Sequence, residues 1–204
     1  MTKILKSTLL CLAIVASSWC GSVLADRSIL NEQIIRLHVV ANSDADEDQQ
    51  IKLQVRDAVI ASVKADLENI TDIQTAKEYL QTNLPKIEAA ANEVLKNAGF
   101  SETAAASLCC EAFEKRVYDT FTLPAGVYEA LRITIGEGEG QNWWCVVFPS
   151  LCIPAAGKDV SEVAASAGFT ESLTAAIRTE ECYKLRFFCL DMLGKMETIM
   201  FSEE

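Results

Sequence analysis

An α+β sandwich, with helices packed on one face of a mainly antiparallel sheet, is the fold class that this 204-residue sequence predicts. Three observations lead there. A short β-branched run near the front precedes two long stretches with apolar residues at helical spacing. The period then changes to alternation through three extended segments. Half of the residues are apolar, which argues for a packed core and against disorder.

The front of the chain comes first. Lys3 and Lys6 make a short positive segment, residues 7–25 carry no charge, and Val23-Leu24-Ala25 places compact residues where signal peptidase reads. The expectation is a signal peptide over 1–25, cleaved before Asp26. A retained anchor is the alternative, since the uncharged run could just span a bilayer. Trp19, where a small residue would be expected, argues against a lipoprotein reading of Cys20. Removing two lysines from a net charge of −11 leaves −13, a balance that excludes nucleic acid and anionic membrane surfaces as partners. Membrane contact is expected only through the signal segment or through a partner. The rest divides into a domain over 26–155 and a C-terminal tail over 156–204.

Residues 34–40 (IIRLHVV) read as a buried strand. Asp44 with Glu47, or Ser43 with Asp46, supplies an N-cap for the helix that follows. Ile51, Val55, Val59, Val63 and Leu67 make that helix amphipathic over five or six turns. A second series, Ile73, Ala76, Leu80, Leu84, Ile87, Ala91, Val94 and Leu95, continues in helical period. Pro85 suggests a kink or a division into two, and Gly99 closes the segment as a C-cap. From Thr103 the loose alternation of Ala104, Ala106, Leu108, Cys110 and Ala112 suggests an extended segment. Pro124-Ala125-Gly126 is a turn. Leu131, Ile133 and Ile135 lie on one strand face, with Ala130, Arg132 and Thr134 on the other. Gly136 to Asn142 then turns the chain into a return strand at 143–148, so that 128–152 reads as an outward-facing hairpin. Beyond Pro154 an Ala-, Ser- and Glu-rich stretch leads to 184–200, read as a last strand followed by a short helix.

Of eight cysteines, Cys11 and Cys20 leave with the signal and six remain. An even number in an exported chain points to disulfides, and of the fifteen possible pairings Cys145–Cys152 is the best local candidate, because Pro149 and Pro154 bend the segment and bring the two thiols into reach. Closing that loop would contribute roughly 2.5 kcal/mol. Buried free thiols are the alternative.

Little else carries chemistry. Asp44, Asp46 and Asp48 mimic a calcium loop, but Gln49 and Val55 stand where glycine and glutamate are needed. Gly136, Gly138 and Gly140 miss the GxGxxG spacing, and Glu137 and Glu139 would repel a phosphate. His38 is the sole histidine, so no zinc cluster can form around paired histidines. No CxxC and no GxSxG occurs. The expectation is no metal, no cofactor and no enzyme, with an exported hydrolase using carboxylates or a structural envelope protein as alternatives. Trp143 and Trp144 point to opposite faces of their strand, so one of them, beside Glu137, Glu139 and Asn142, is an anchor candidate for a partner surface.

The blocks RLHVVANSDADEDQQIKLQVRDAV (36–59) and PAGVYEALRITIGEGEGQNWWCVVFPSLC (124–152), with the signal segment, resemble the stage II sporulation protein R family over residues 31–154. The resemblance implies an intercompartmental signal of endospore-forming bacteria. It is made in the forespore and exported into the space between the forespore and mother-cell membranes. There it activates a membrane-embedded aspartic protease of the mother cell that leads to processing of pro-sigma-E. The recurring positions map onto Arg36, His38, Asn42, Ser43, Asp44, Asp48, Gln49, Arg56 and Asp57. In the second block they map onto Glu129, Gly136, Gly138, Asn142, Trp143, Trp144, Cys145 and Cys152. No catalytic residues transfer.

Overall fold

All six residues of strand β1 (Ile35–Val40) are buried, whichever way their side chains point. A strand buried on both faces belongs in the middle of a sheet with both faces covered, and the computed structural model, which describes residues 2–149 and 160–202, puts it there. Around it lie α1 (Thr2–Gln33), α2 (Asp46–Leu67), α3 (Ile73–Asn97), β2 (Ala104–Phe113), β3 (Arg116–Val117), β4 (Thr122–Leu123), β5 (Gly126–Ile135), β6 (Asn142–Phe148), α4 (Val160–Ser166), α5 (Glu171–Ile177) and α6 (Lys184–Ser202). The main sheet runs β2-β5-β1-β6, and β3-β4 form a small ribbon. β1 lies parallel to β5 and antiparallel to β6, while β2 and β5 are antiparallel. The fold is α+β, as expected, but helices cover both faces of the sheet rather than one, because the tail and α1 fold onto the second face.

The hairpin expected over 128–152 does not form. β5 and β6 are consecutive in the chain, but β1 is inserted between them, pairing Leu37 with Leu131 on one side and with Cys145 on the other. The turn after β5 therefore crosses the end of β1. Residues 150–152 lie outside the described part.

One face of the sheet packs on α2 and α3. Ile35, Leu37, Val39, Leu131, Ile133 and Ile135 meet Val55, Val59, Val63, Leu80, Ile87 and Leu95 in a single core. Both helices follow the predicted stripes, and Pro85 sits inside one continuous α3 rather than dividing it. Gly99, at φ +80°, ends α3, with the Phe100 amide returning to the Leu95 carbonyl.

The opposite face has a second core. Leu30 of α1, Phe113, Tyr128, Ala130 and Val146 pack on Leu173, Ile177 and Leu190 of α5 and α6. The segment 184–200, expected as a strand and a short helix, is one helix. Apolar residues on both its sides hide the period, because α6 also carries exposed Leu185, Phe188, Met192 and Met196. α6 is tied to the second half of α1: the Arg186 guanidinium holds Asp26 at 2.6 Å and donates to the Ser22 carbonyl at 3.1 Å. Asp26 also accepts from Thr170. α1 is long and apolar enough to cross a membrane, a property that a signal sequence shares, and the side chains of its N-terminal half are exposed.

Candidate functional site

Two segments about a hundred residues apart in sequence meet at the end of the sheet where β1 finishes. The turn at 136–141 crosses this end and is fastened to the loop between β1 and α2. Gly140 and Glu139 donate their amides to the carbonyls of Ala41 and Asn42. The Glu137 amide donates to Asn42 Oδ1 at 3.1 Å, and the Gln141 amide to Asp44 Oδ1 at 2.8 Å. The glycine spacing follows from this lacing. Gly136 has φ +55°, and a Cβ there would overlap the Asn42 side chain; one on Gly140 would overlap the Ser43 carbonyl.

Behind the turn, Asp48 is buried and accepts from Ser43 Oγ at 2.6 Å and from Asn42 Nδ2 at 3.0 Å. The Ser43 bond, with the Asn42 bond second, holds its carboxyl below the usual carboxylate range against the opposing effect of burial. Lys52 Nζ donates to the Gln141 carbonyl at 2.8 Å, and burial pushes its pKa down although the Asp44 charge opposes this. Neither Ser43 nor Asp44 caps α2. The cap is Ala45, with no side-chain bond, because Ser43 Oγ accepts from the Ala45 amide and Asp44 is occupied by the turn. Of the three aspartates that mimic a calcium loop, Asp48 alone turns inward, to Asn42 and Ser43, while Asp44 and Asp46 face solvent.

On the sheet face away from α2, His38 bridges two strands. Its Nδ1 lies 2.7 Å from Glu111 Oε2 and its Nε2 2.8 Å from Asn142 Oδ1. The other Glu111 oxygen accepts from Arg132 Nη1 at 2.8 Å. Burial disfavours the Glu111 carboxylate, but the bonds and charges of His38 and Arg132 outweigh that and leave its pKa below the ordinary value. Trp144 sits 6.0 Å from the His38 and Phe113 rings, with the Arg116 guanidinium 5.4 Å from its own. Arg36 is fully buried, 4.0 Å over the Phe113 ring, and donates to Tyr118 Oη at 2.8 Å.

The structure thus brings together Asn42, Ser43, Asp44, Asp48, Gln49, Gly136, Gly138, Glu137, Glu139 and Gln141 at one end, with His38, Asn142 and Trp144 on the adjoining face. Trp143 is on the α2 side, its ring 4.3 Å under the Arg56 guanidinium, which also bonds Asp57. Both tryptophans are half-buried. Glu129 stands apart, paired to Lys77 of α3 at 2.8 Å. Cys145 is buried in the first core; Cys152 lies outside the described residues. Sequence reasoning missed Glu111, Arg132, Tyr118 and Phe113. The signal available was that a histidine inside an apolar strand must find polar partners across the sheet.

What this arrangement offers is a surface for recognition. Asp44, Asp46, Glu47, Glu137, Glu139 and Asn142 are exposed around a turn whose main-chain amides are held, so a partner meets a preordered backbone and only the side chains remain to be ordered.

No solved structure matches the chain. Stage II sporulation protein R of Bacillus subtilis (strain 168) is 40% identical over 124 residues, which is 61% of this chain and 55% of that one, so the match spans about half of the relative's length. The model of the stage II sporulation protein R family matches residues 31–158, which takes in β1, the fastened turn and β6. On that match, which spans well over half of its length, the chain belongs to the stage II sporulation protein R family.

Proposed function

We propose that this protein is an exported signal of sporulation, an activating ligand rather than an enzyme. It acts in the space between forespore and mother cell on a membrane-embedded aspartic protease, leading to processing of pro-sigma-E. The observation that carries this reading is the convergence of the two family blocks into one rigid, acid-rimmed end of the sheet. Its polar groups are spent on holding one another, and its outward surface is carboxylates, Asn142 and half of Trp144. A net charge of −11 favours a basic patch on the partner and an association rate that falls as salt rises. In this reading 1–25 is the export signal, and Cys145 pairs with Cys152 once outside the cytoplasm.

The test is co-expression with the candidate protease and its pro-sigma substrate in a non-sporulating host. Glu137→Lys and Trp144→Ala are expected to cut processing at least tenfold while the purified proteins keep the wild-type circular dichroism. Full processing by both folded variants would remove this end of the sheet from the contact. Processing that does not depend on the protein at all would remove the signalling role.

A further inference from the structure

We propose that the open edge of β2 pairs with the same edge of a second copy of this chain, making a two-fold dimer with a continuous sheet. Among the described residues β2 pairs with β5 alone, on one side. The Gly136 amide bonds the Thr103 carbonyl, so the odd residues of this strand face β5 and the even residues face outward. At the start of the strand the outward groups are covered. Asn92 accepts from the Ala104 amide and donates to its carbonyl, and Glu88 accepts from the Ala106 amide. Past that point no hydrogen bond among the described residues reaches the outward main chain of Leu108, Cys110 or Ala112.

This stretch lacks the devices that protect an edge. It contains no proline, no lysine and no bulge. Its one charge, Glu111, is turned onto the sheet face and held by His38 and Arg132. Ser107, Cys110 and Ala112 are small and exposed, so another backbone can approach.

The open length, 107–113, has Cys110 at its midpoint, which makes it self-complementary under a two-fold axis. Antiparallel pairing puts Cys110 opposite its twin and Leu108 opposite Ala112 of the second copy. The three pairs would exchange about six main-chain hydrogen bonds. Glu111 then faces Cys109 of the second copy, so no like charges stand directly opposite. The two Cys110 Cα atoms would lie about 5.5 Å apart, the spacing of a hydrogen-bonded antiparallel pair and within disulfide reach.

The experiment uses the full chain in mild detergent. Sedimentation is expected to show a dimer. The thiol oxidant diamide, which takes up the two hydrogens released by two thiols, is expected to give a covalent dimer on a non-reducing gel. That band persists in Cys109→Ser and Cys182→Ser and is lost in Cys110→Ser. Ala112→Pro removes an outward amide without touching a bond to β5, and Cys110→Lys sets two ammonium groups on the axis. Each is expected to raise the dimer dissociation constant at least tenfold with helical content unchanged. A monomer throughout, a dimer that survives both substitutions, or a diamide product formed through another cysteine would overturn the proposal. Oligomeric state is read without the protease, so this outcome and that of the signalling assay are separable.

Discussion

Asp48 shows how one carboxylate can be the hinge of a surface it never reaches. Ser43 and Asn42 both donate to its Oδ2, and Asn42 in turn presents its own oxygen to the Glu137 amide. Its pKa is lowered in the folded chain, so the unfolded chain binds the proton more readily. The stabilisation is therefore complete above the usual carboxylate range and is lost as pH falls through the lower folded value. Asp48→Asn should weaken the fold at neutral pH and flatten the decline between about pH 5 and pH 3. Urea midpoints measured across that range decide it; a variant with the wild-type slope would show that Asp48 is not the titrating group. At this scale the sequence was partly legible. The glycines of 136–140 could be read as a turn and His38 as a bonded sheet residue. That Asn42 fills the space left by Gly136 could not be read, because it depends on which strand lies beside which. Glu111 escaped for the same reason: its partner comes from a strand 73 residues away.

Elements defined by local period were legible, and those defined by their neighbours were not. The stripes of α2 and α3 follow from four-residue spacing, since each helix has one clear face to bury. β2 announced itself by alternation. The β5–β6 hairpin misled because consecutive strands usually pair. The mostly apolar run of β1, buried on both faces as a central strand is, outweighed that habit. α6 misled for the opposite reason, with apolar side chains on its buried and its exposed sides alike. Its place is fixed by a buried ion pair, whose energetics make a sharp prediction. Asp26 is 1% exposed, and Arg186→Ala would leave it with the Thr170 hydroxyl alone. The expected loss is about 3 kcal/mol in urea unfolding. Adding Asp26→Asn to that variant should recover part of it, because the uncompensated buried charge is the larger cost. If the double variant is no more stable than Arg186→Ala, packing rather than charge holds α6 to α1.

For the whole molecule the open question is how the apolar N-terminal helix relates to the folded body. The cleavage expected after Ala25 would fall inside α1, which runs unbroken to Gln33. The helix changes character on the way: apart from Val23, the side chains of residues 3–25 are exposed, whereas Asp26, Arg27 and Leu30 are buried against α6 and the sheet. Cleavage before Asp26 keeps the Arg186 pair and the three bonds to Glu197, two from Arg27 and one from Asn31. It removes Val23, which is 3% exposed, and the Ser22 oxygens that accept from Arg186. Burial of a valine is worth about 1.5–2 kcal/mol, and the Ser22 bonds add a little, so the body survives the cut but at a cost. A chain beginning at Asp26 should therefore fold, with an unfolding free energy about 2 kcal/mol below that of a chain beginning at Gly21. For a chain of this size that is a melting shift of about 4–8 °C. Equal midpoints would mean that the first turns before Asp26 contribute nothing to the body. A chain from Asp26 that does not fold would mean that the N-terminal turns and the folded body are one structural unit.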